Sequence, residues 1–250
     1  MIIVKLGGSA VTDKSKDFTP RLEVIENAAK QISSISEQIL LVHGGGSYGH
    51  PLAREYSLHE GFSHSSQLSG VSQTRYSMTQ LNQIILSILL RHGVKAVSVQ
   101  PSACFVCTNK RISHRFLEPI EGLLTLGCTP VLYGDVVTDQ EMGFCILSGD
   151  QIVSHLAGAL SPRKVIFGLE VDGLYTEDPR NESARLVKDI TFADLKSISA
   201  GEVGDVTKGM KGKLQEITEI CGIEVDLINL MGEETLVKAV SGEVDGTRIH

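Results

Sequence analysis

Residues 39–50 have the sequence ILLVHGGGSYGH, from Ile39 to His50. Four apolar residues with the composition of a buried strand are followed by His43 and then by three consecutive glycines. Glycine leaves backbone N–H groups open to an anion because no Cβ atom stands in front of them. The stretch therefore predicts a buried strand that ends in an anion-binding turn.

Short β-branched runs alternate with longer segments of helical periodicity along the chain. The helical spacing of apolar residues is clearest within residues 22–32 and 81–89. This alternation predicts an α/β fold, a three-layer α/β/α sandwich with a largely parallel open central sheet. The strand candidates are residues 2–6, 39–42, 96–99, 129–132, 165–167 and 225–228.

No internal repeat or low-complexity linker divides the sequence. The segment Leu160-Ser161-Pro162-Arg163 marks a place where a helix must end before the next strand begins. We expect two lobes, residues 1–160 and residues 161–250, that share one continuous sheet.

The composition indicates a folded, acidic protein. Of 250 residues, 42% are hydrophobic and 21% are charged, which excludes a disordered or fibrous chain. A net charge of −7 offers no general attraction to nucleic acid or to an anionic membrane. The five cysteines are irregularly spaced, and the chain begins with an apolar strand instead of a leader. We expect a cytoplasmic protein with reduced thiols, no metal-binding residues, and neither a membrane nor a nucleic-acid partner.

Three further segments lie where parallel strands present ligands, at the carboxyl ends of strands or at helix starts. Lys5-Leu6-Gly7-Gly8-Ser9 follows the first strand, and Lys5 would add charge beside open N–H groups. Ser148-Gly149-Asp150-Gln151 predicts a helix start whose N-terminus could face an anion. Gly209-Met210-Lys211-Gly212-Lys213 opens another helix. An ordinary turn, a helix cap and surface lysines would explain the same segments, so none of them alone decides the function.

The glycine loop also satisfies the G-x-G-x-x-G spacing of dinucleotide-binding folds, through Gly44, Gly46 and Gly49. That fingerprint opens an apolar helix and is followed about 20 residues later by an acidic residue that ends another strand. Here His50-Pro51 and a polar stretch follow, and no strand candidate appears before residue 95. The sequence therefore argues against a dehydrogenase, and it also lacks a G-x-x-x-x-G-K-[ST] phosphate loop.

In their order along the chain, these segments resemble the amino acid kinase superfamily. Its members combine an N-terminal K-x-G-G-S loop and a second glycine loop with a nucleotide-binding C-terminal lobe. The resemblance extends from Lys5 to Ile249 and is closest to the isopentenyl phosphate kinases. The matching segments are IVKLGGS at 3–9, TDK at 12–14, HGGGSYGHP at 43–51, QPSA at 100–103, YGDVV at 133–137 and SGDQ at 148–151.

The resemblance implies an acceptor side and a donor side of one site, with acceptor binding in residues 1–160 and nucleotide binding in residues 161–250. The acceptor phosphate would contact Gly45, His50 and Gly149. The implied catalytic residues are Lys5, Lys14, His50, Asp150 and Lys213, with Lys14 approaching the transferring phosphoryl group and Asp150 orienting the lysines. The residues implied to hold ATP are Lys5, Leu6, Gly7, Gly8, Ser9, Gly46, Asp172, Gly173, Tyr175, Gly209 and Lys213.

Two segments of the nucleotide lobe depart from the family's pattern. Members commonly have G-T-D-V-D-G where this chain has GLEVDG at 168–173, which places Glu170 at the first acidic position. They commonly have D-V-T-G-G-M where this chain has DVTKGM at 205–210. Lys208 could add a phosphate contact or restrict that loop.

A phosphomonoester acceptor suits these residue types. Because its second pKa is about 6, its oxygen is a nucleophile at neutral pH without a carboxylate base. Transfer then requires positioning and positive groups around the transferring oxygens, which lysines, loop N–H groups and Mg²⁺ supply. The resemblance implies an ATP- and Mg²⁺-dependent kinase of isopentenyl phosphate that forms a homodimer. A phosphonate kinase and a non-catalytic nucleotide-binding protein of the same fold remain alternatives.

Two other features carry no functional assignment. The apolar stripe of residues 75–91 is either a wall for an apolar tail or ordinary core. The remaining histidines without ligand spacing are expected to be structural: His59, His64, His92, His114 and His155.

Overall fold

The computed structural model describes residues 1–200, 208–220 and 222–250. Within them the helices are α1 (Gly8–Val11), α2 (Leu22–Ser34), α3 (Gly46–Glu55), α4 (Ser66–Arg91), α5 (Pro101–Cys104), α6 (Glu118–Thr125), α7 (Gly149–Leu160), α8 (Phe192–Ala200), α9 (Lys208–Ile217) and α10 (Thr235–Ser241). The strands are β1 (Ile2–Leu6), β2 (Ile39–His43), β3 (Ala96–Ser98), β4 (Phe105–Thr108), β5 (Arg111–Arg115), β6 (Thr129–Tyr133), β7 (Asp135–Asp139), β8 (Gly143–Leu147), β9 (Lys164–Leu169), β10 (Asp189–Ile190), β11 (Glu224–Asn229) and β12 (Gly246–Ile249).

A central sheet of eight strands has the order β10-β12-β11-β9-β1-β2-β6-β3. Its strands from β11 to β3 are all parallel, whereas β12 pairs antiparallel with β11. These parallel strands are the six predicted from the sequence, so the largely parallel sheet is confirmed. β9 and β11 lie beside β1, and both halves of the chain therefore contribute to one sheet.

Apolar helices cover both faces of the sheet, which confirms the three-layer sandwich. β1 is buried along its whole length, as expected of a central parallel strand. Successive side chains of a strand point to opposite faces, so Ile2, Val4 and Leu6 pack with α2, α4 and α10 while Ile3 packs with α7 and α9. Lys5 shares the face of Ile3, and the strand therefore directs this lysine toward the layer that contains α7 and α9.

A second sheet of four strands, in the order β5-β4-β7-β8, was not predicted. Its β5 strand has the sequence RISHR and is mostly exposed, so it lacks the apolar run that marks a buried strand. β4 and β7 are parallel, and the other two pairings are antiparallel.

The polar segment after the three glycines forms a helix, which the sequence did not predict. α3 begins at Gly46 and contains Pro51, which has no N–H to donate to the carbonyl of Ser47. That carbonyl instead accepts a hydrogen bond from the N–H of Phe18, 3.3 Å away. A contact from a distant segment thus compensates for the proline, and sequence spacing could not reveal it.

The helix end predicted at residues 160–163 is confirmed, since α7 ends at Leu160 and β9 begins at Lys164. Ser161 ends the helix in the left-handed conformation, with φ of 47°. None of the helices in the described ranges is both long enough and apolar enough to cross a membrane.

Candidate active site

Lys5, Asp150 and Lys213 meet at the carboxyl end of the parallel strands. Nζ of Lys5 lies 2.6 Å and Nζ of Lys213 lies 2.8 Å from the same oxygen, Oδ1 of Asp150. Both ammonium groups also lie over the ring of Phe167, at 5.9 and 5.3 Å from its centroid. One carboxylate therefore holds two cations side by side, which is the geometry that an orienting role for Asp150 requires.

Helix α7 places Asp150 in this cluster. The hydroxyl of Ser148 accepts a hydrogen bond from the N–H of Gln151 at 3.1 Å, so Ser148 caps the helix that this segment predicted. Asp150 then lies in the first turn, where the helix dipole favours a negative charge. α9 packs against α7 and brings Lys213 to the same point.

The enclosed charges shift each other's pKa values. Desolvation opposes ionisation of Asp150, but Lys5 and Lys213 outweigh it and hold the pKa of this carboxyl well below its usual range. Burial, reinforced by the charge of Lys5, lowers the pKa of Lys213 to about 8. Near neutral pH the cluster therefore carries two cations and one anion, and its net positive charge suits a phosphate group.

The two glycine loops touch each other through their backbones. A Cβ atom on Gly8 would lie 2.5 Å from the backbone N of Gly46, and one on Gly44 would lie 2.6 Å from the N of Gly8. Gly46 also has φ of +47°, a conformation that residues with a side chain rarely adopt. The glycines are thus required where the loops meet, a reason that the phosphate-based interpretation of the sequence did not contain.

Thr12 ties the two loops together. Its buried hydroxyl donates to the carbonyl of Gly8 at 2.7 Å and accepts from the N–H of Ser47 at 3.0 Å. The N–H of Gly44 donates to the carbonyl of Leu6 at 3.0 Å, which anchors the second loop to β1. Thr12 was part of a matching motif but was not predicted as a site residue; its position after the first loop was the available signal.

His43 supports the backbone of the second loop, and it was also not predicted as a site residue from the sequence. Its ring is fully buried and stacks on Tyr133, with 5.4 Å between centroids. Nε2 of His43 lies 3.2 Å from the amide nitrogen of Asn82, and Nδ1 lies 3.0 Å from the carbonyl oxygen of Gly44. Burial lowers the pKa of His43 to about 4. A neutral ring that accepts from Asn82 and donates to Gly44 satisfies both contacts.

His50 lies on α3, and its residue is exposed to solvent. The charges of Lys5, Lys14 and Asp150 all act on its ring. Partial desolvation and the charge of Arg54 lower the pKa of His50, so the imidazole is neutral in the ligand-free protein at pH 7. Arg54, one helical turn beyond His50, adds a cation that the sequence analysis missed; an i, i+4 pair on one helix face was its signal.

Lys14 forms an ion pair with Glu170, which follows β9. The lysine side chain is 59% exposed, whereas Lys5 is buried. Glu170 occupies one of the positions where the chain departs from the family's pattern. In this structure it holds Lys14 near the carboxyl end of β9.

Gly45 and Gly149, the glycines assigned to the acceptor side, pack against different parts of the protein. A Cβ atom on Gly45 would lie 3.0 Å from the sulfur of Met78, a buried residue of α4. A Cβ atom on Gly149 would lie 3.2 Å from the carbonyl of His43 and 3.4 Å from Cε of Lys5. Part of the stripe at 75–91 therefore lies behind the glycine loop, while the nature of a tail pocket stays a prediction.

Asp172 and Tyr175 form a separate group with Asn229, after β9 and at the end of β11. The hydroxyl of Tyr175 donates to Oδ2 of Asp172 at 2.8 Å, and the amide of Asn229 donates to Oδ1 at 2.9 Å. Gly173 is packed so closely that a Cβ atom would lie 2.4 Å from the hydroxyl oxygen of Thr247. Sequence analysis missed Asn229, which only its position at a strand end could have indicated.

The remaining predicted nucleotide residues are placed by the backbone. Gly7 donates its N–H to the carbonyl of Gly168 at 2.8 Å, and Ser9 lies in α1. Gly209 lies in the first turn of α9. Residues 205–207 of the DVTKGM segment lie outside the described residues.

The donor groups at this site fit a metal ion that enters with a nucleotide. In the part of the chain that the structure describes, no group of three or more His, Cys, Asp or Glu side chains is arranged to hold a metal ion. Mg²⁺ keeps several waters and is commonly held by one or two carboxylates together with substrate phosphates. Asp150 is the carboxylate beside the lysines, and its Oδ1 already contacts both of them.

Comparison with known proteins identifies the family. The model of the amino acid kinase family matches residues 1–229. An isopentenyl phosphate kinase from Methanothermobacter thermautotrophicus is 38% identical, over 100% of this chain and 98% of that protein. A crystal structure of an isopentenyl phosphate kinase superimposes with a TM-score of 0.87 at 36% identity, covering 100% of both chains. The product complex of the T. acidophilum isopentenyl phosphate kinase gives a TM-score of 0.85 at 30% identity, again with 100% of both chains covered.

These similarities extend over the sheet, both glycine loops and the elements that carry the lysine–aspartate cluster. The chain belongs to the amino acid kinase family.

Proposed function

We propose that this protein is a kinase that transfers the γ-phosphoryl group of ATP to isopentenyl phosphate, giving isopentenyl diphosphate and ADP. The observation that carries the proposal is the cluster in which Asp150 holds Lys5 and Lys213 side by side, with the charges of Lys5 and Asp150 acting on the ring of His50. The cluster supports transfer between two phosphate groups. The isoprenoid part of the acceptor rests on the full-length similarity to isopentenyl phosphate kinases.

In the proposed mechanism, the two lysines neutralise charge on the donor phosphates while the loop N–H groups align them. The acceptor phosphate lies against Gly45 and Gly149, and His50 donates a hydrogen bond to one of its oxygens. Because that ring is neutral in the ligand-free protein, a bound dianion is what would draw a second proton onto it. No side chain acts as a general base, since the acceptor oxygen is already anionic.

Lys14 is the residue that must change partner in this mechanism. Its ion pair with Glu170 keeps the ammonium group at the carboxyl end of β9. A γ-phosphate that carries more negative charge than one carboxylate would compete for Lys14. Glu170 therefore keeps Lys14 at the carboxyl end of β9 and releases it when ATP binds.

The other parts of the proposal concern the nucleotide and the assembly. Asp172, Gly173, Tyr175 and Gly209 would lie on the nucleoside and phosphate side. Mg²⁺ would be held mainly by the nucleotide phosphates, where it would neutralise charge on the transferring group. Residues 1–160 would bind the acceptor and residues 161–250 the nucleotide. We further propose a cytoplasmic homodimer.

The test is an acceptor panel assayed with ATP and Mg²⁺ by ADP release. Isopentenyl phosphate should give the highest kcat/KM, ahead of a phosphonate, UMP and carboxylate acceptors. Higher kcat/KM for a phosphonate would assign the protein to a different branch of the family. ATP binding without transfer to any acceptor would favour a non-catalytic protein of the same fold.

A further inference from the structure

A second polar cleft lies on the far side of α7 from the glycine loops, between β5, α7 and the segment that follows α9. Its volume is about 260 Å³, several times the roughly 30 Å³ of a water molecule in the liquid. We call it the arginine cleft. The polar residues that line it are Arg111, Arg115, Gln151, Ser154, His155 and Glu219.

Two nearly buried polar groups in the arginine cleft lack hydrogen-bond partners. Ser154 is only 6% exposed, and its hydroxyl makes no hydrogen bond with any described residue. Gln151 is also 6% exposed. Its amide nitrogen donates to the carbonyl of Lys110 at 2.8 Å, whereas its Oε1 accepts from none of the described residues. Both atoms remain accessible from the cleft, so the cleft offers one donor and one acceptor to a ligand.

The cleft also contains one arginine without a carboxylate partner. Arg111 is neutralised by Glu216, through contacts of 2.6 and 3.3 Å. Among the residues that the structure describes, the guanidinium group of Arg115 contacts only the ring of His155, with 3.5 Å between Nη1 and Nε2. Glu219 also lines the cleft and its charge acts on Arg111, which leaves Arg115 as the cation to meet an anion.

We propose that the arginine cleft binds a phosphate group in its singly protonated form. Arg115 and the hydroxyl of Ser154 would donate to the anionic oxygens, and Oε1 of Gln151 would accept from the P–OH group. Sulfate has the same shape but carries no proton near neutral pH, so it would leave Gln151 unpaired. The site therefore discriminates between phosphate and sulfate by a hydrogen bond and not by charge.

This site is independent of the kinase reaction, although it touches the same framework. α7 carries Asp150 in its first turn and Ser154 one turn later, while Glu216, the partner of Arg111, belongs to the same helix as Lys213. A ligand in the arginine cleft would contact α7 directly.

The test uses the histidine ring signals of the full chain in NMR spectra, with inorganic phosphate as the probe. His155 reports on the arginine cleft and His50 on the kinase site, so each site is read separately. Assignment comes from spectra of H155N and H50N. The expected result is a saturable shift of the His155 signal with phosphate and at least tenfold weaker binding of sulfate.

Two variants complete the test. Arg115→Gln should weaken phosphate binding at the cleft at least tenfold. Arg180→Gln changes an exposed arginine whose only partner among the described residues is Asp178, and it should leave phosphate binding unchanged. Ser154→Ala should weaken binding without lowering the melting temperature, because its hydroxyl makes no hydrogen bond with a described residue. An unmoved His155 signal, equal binding of sulfate, or unchanged binding in Arg115→Gln would each overturn the proposal.

Discussion

Replacing Asp150 by asparagine should move the alkaline limit of activity to lower pH. The substitution keeps the shape of the side chain but removes the negative charge that Lys5 and Lys213 share through Oδ1. The two ammonium groups would then repel each other across a buried gap. Lys213 would lose its proton first, because burial already lowers its pKa to about 8.

The magnitude follows from the lost contact. A hydrogen bond to a charged group contributes about 1.5–3 kcal/mol, which corresponds to roughly 1 to 2 pKa units at about 1.36 kcal/mol per unit. The pKa of Lys213 should therefore fall from about 8 to roughly 6 or 7. Since the neutral lysine no longer stabilises phosphate oxygens, activity at neutral pH should fall about tenfold or more.

The assay is ADP formation measured as kcat/KM for ATP over a pH range on both sides of neutrality. This parameter reports the ionisation of the free enzyme. The original protein should lose activity as the pH rises through about 8, and Asp150→Asn should lose it at a pH about 1 to 2 units lower. Asp189→Asn, which makes the same change at an exposed position of β10, should keep the original profile. An Asp150→Asn profile that coincides with the original would refute the charge coupling.

Four further changes test other parts of the site. His50→Ala should lower kcat/KM for the acceptor about 10²–10³-fold with an unchanged melting temperature, because the ring donates to the acceptor and is exposed; wild-type-like kinetics would remove it from the mechanism. Gly46→Ala should lower the activity and also the free energy of unfolding, the latter by more than the about 1–3 kcal/mol that backbone strain alone costs. Equal stability in urea would contradict the close contact between the two loops. The folded-state pKa of His43 is about 4, below its unfolded value of about 6.5, so the neutral ring favours folding at neutral pH and this contribution is lost as the pH falls from about 6.5 to about 4. His43→Gln should remove about 3 kcal/mol of this pH dependence from urea unfolding curves. An unchanged dependence of the free energy of unfolding on pH would contradict this prediction. Glu170→Gln should free Lys14 and change KM for ATP less than tenfold, with the salt dependence of KM altered; a loss as large as that of Lys14→Met would show that the carboxylate itself is needed.

The sequence was sufficient for the parallel core of the fold. β1 and β2 are continuous apolar runs, because a central parallel strand is buried on both faces. The same reasoning could not find β5, whose exposed residues carry no period, or α3, whose proline is compensated by Phe18 from another segment. Elements that depend on distant partners leave little trace in local patterns.

For the site, the sequence pattern correctly predicted cations and glycines at the strand ends, but it did not reveal every reason why the glycines are needed. Gly8 and Gly46 are needed because the two loops touch, which only the packed structure shows. Thr12 and His43 were missed for a related reason. They hold loop backbone in place, and nothing in the local sequence pattern marks that supporting role.

The most direct test of the proposed function is a ³¹P NMR spectrum of the protein incubated with ATP, Mg²⁺ and isopentenyl phosphate. We predict that the single acceptor resonance is replaced by the two coupled resonances of a diphosphate monoester, in step with the appearance of ADP. Release of inorganic phosphate with an unchanged acceptor resonance, or no consumption of ATP at all, would contradict it.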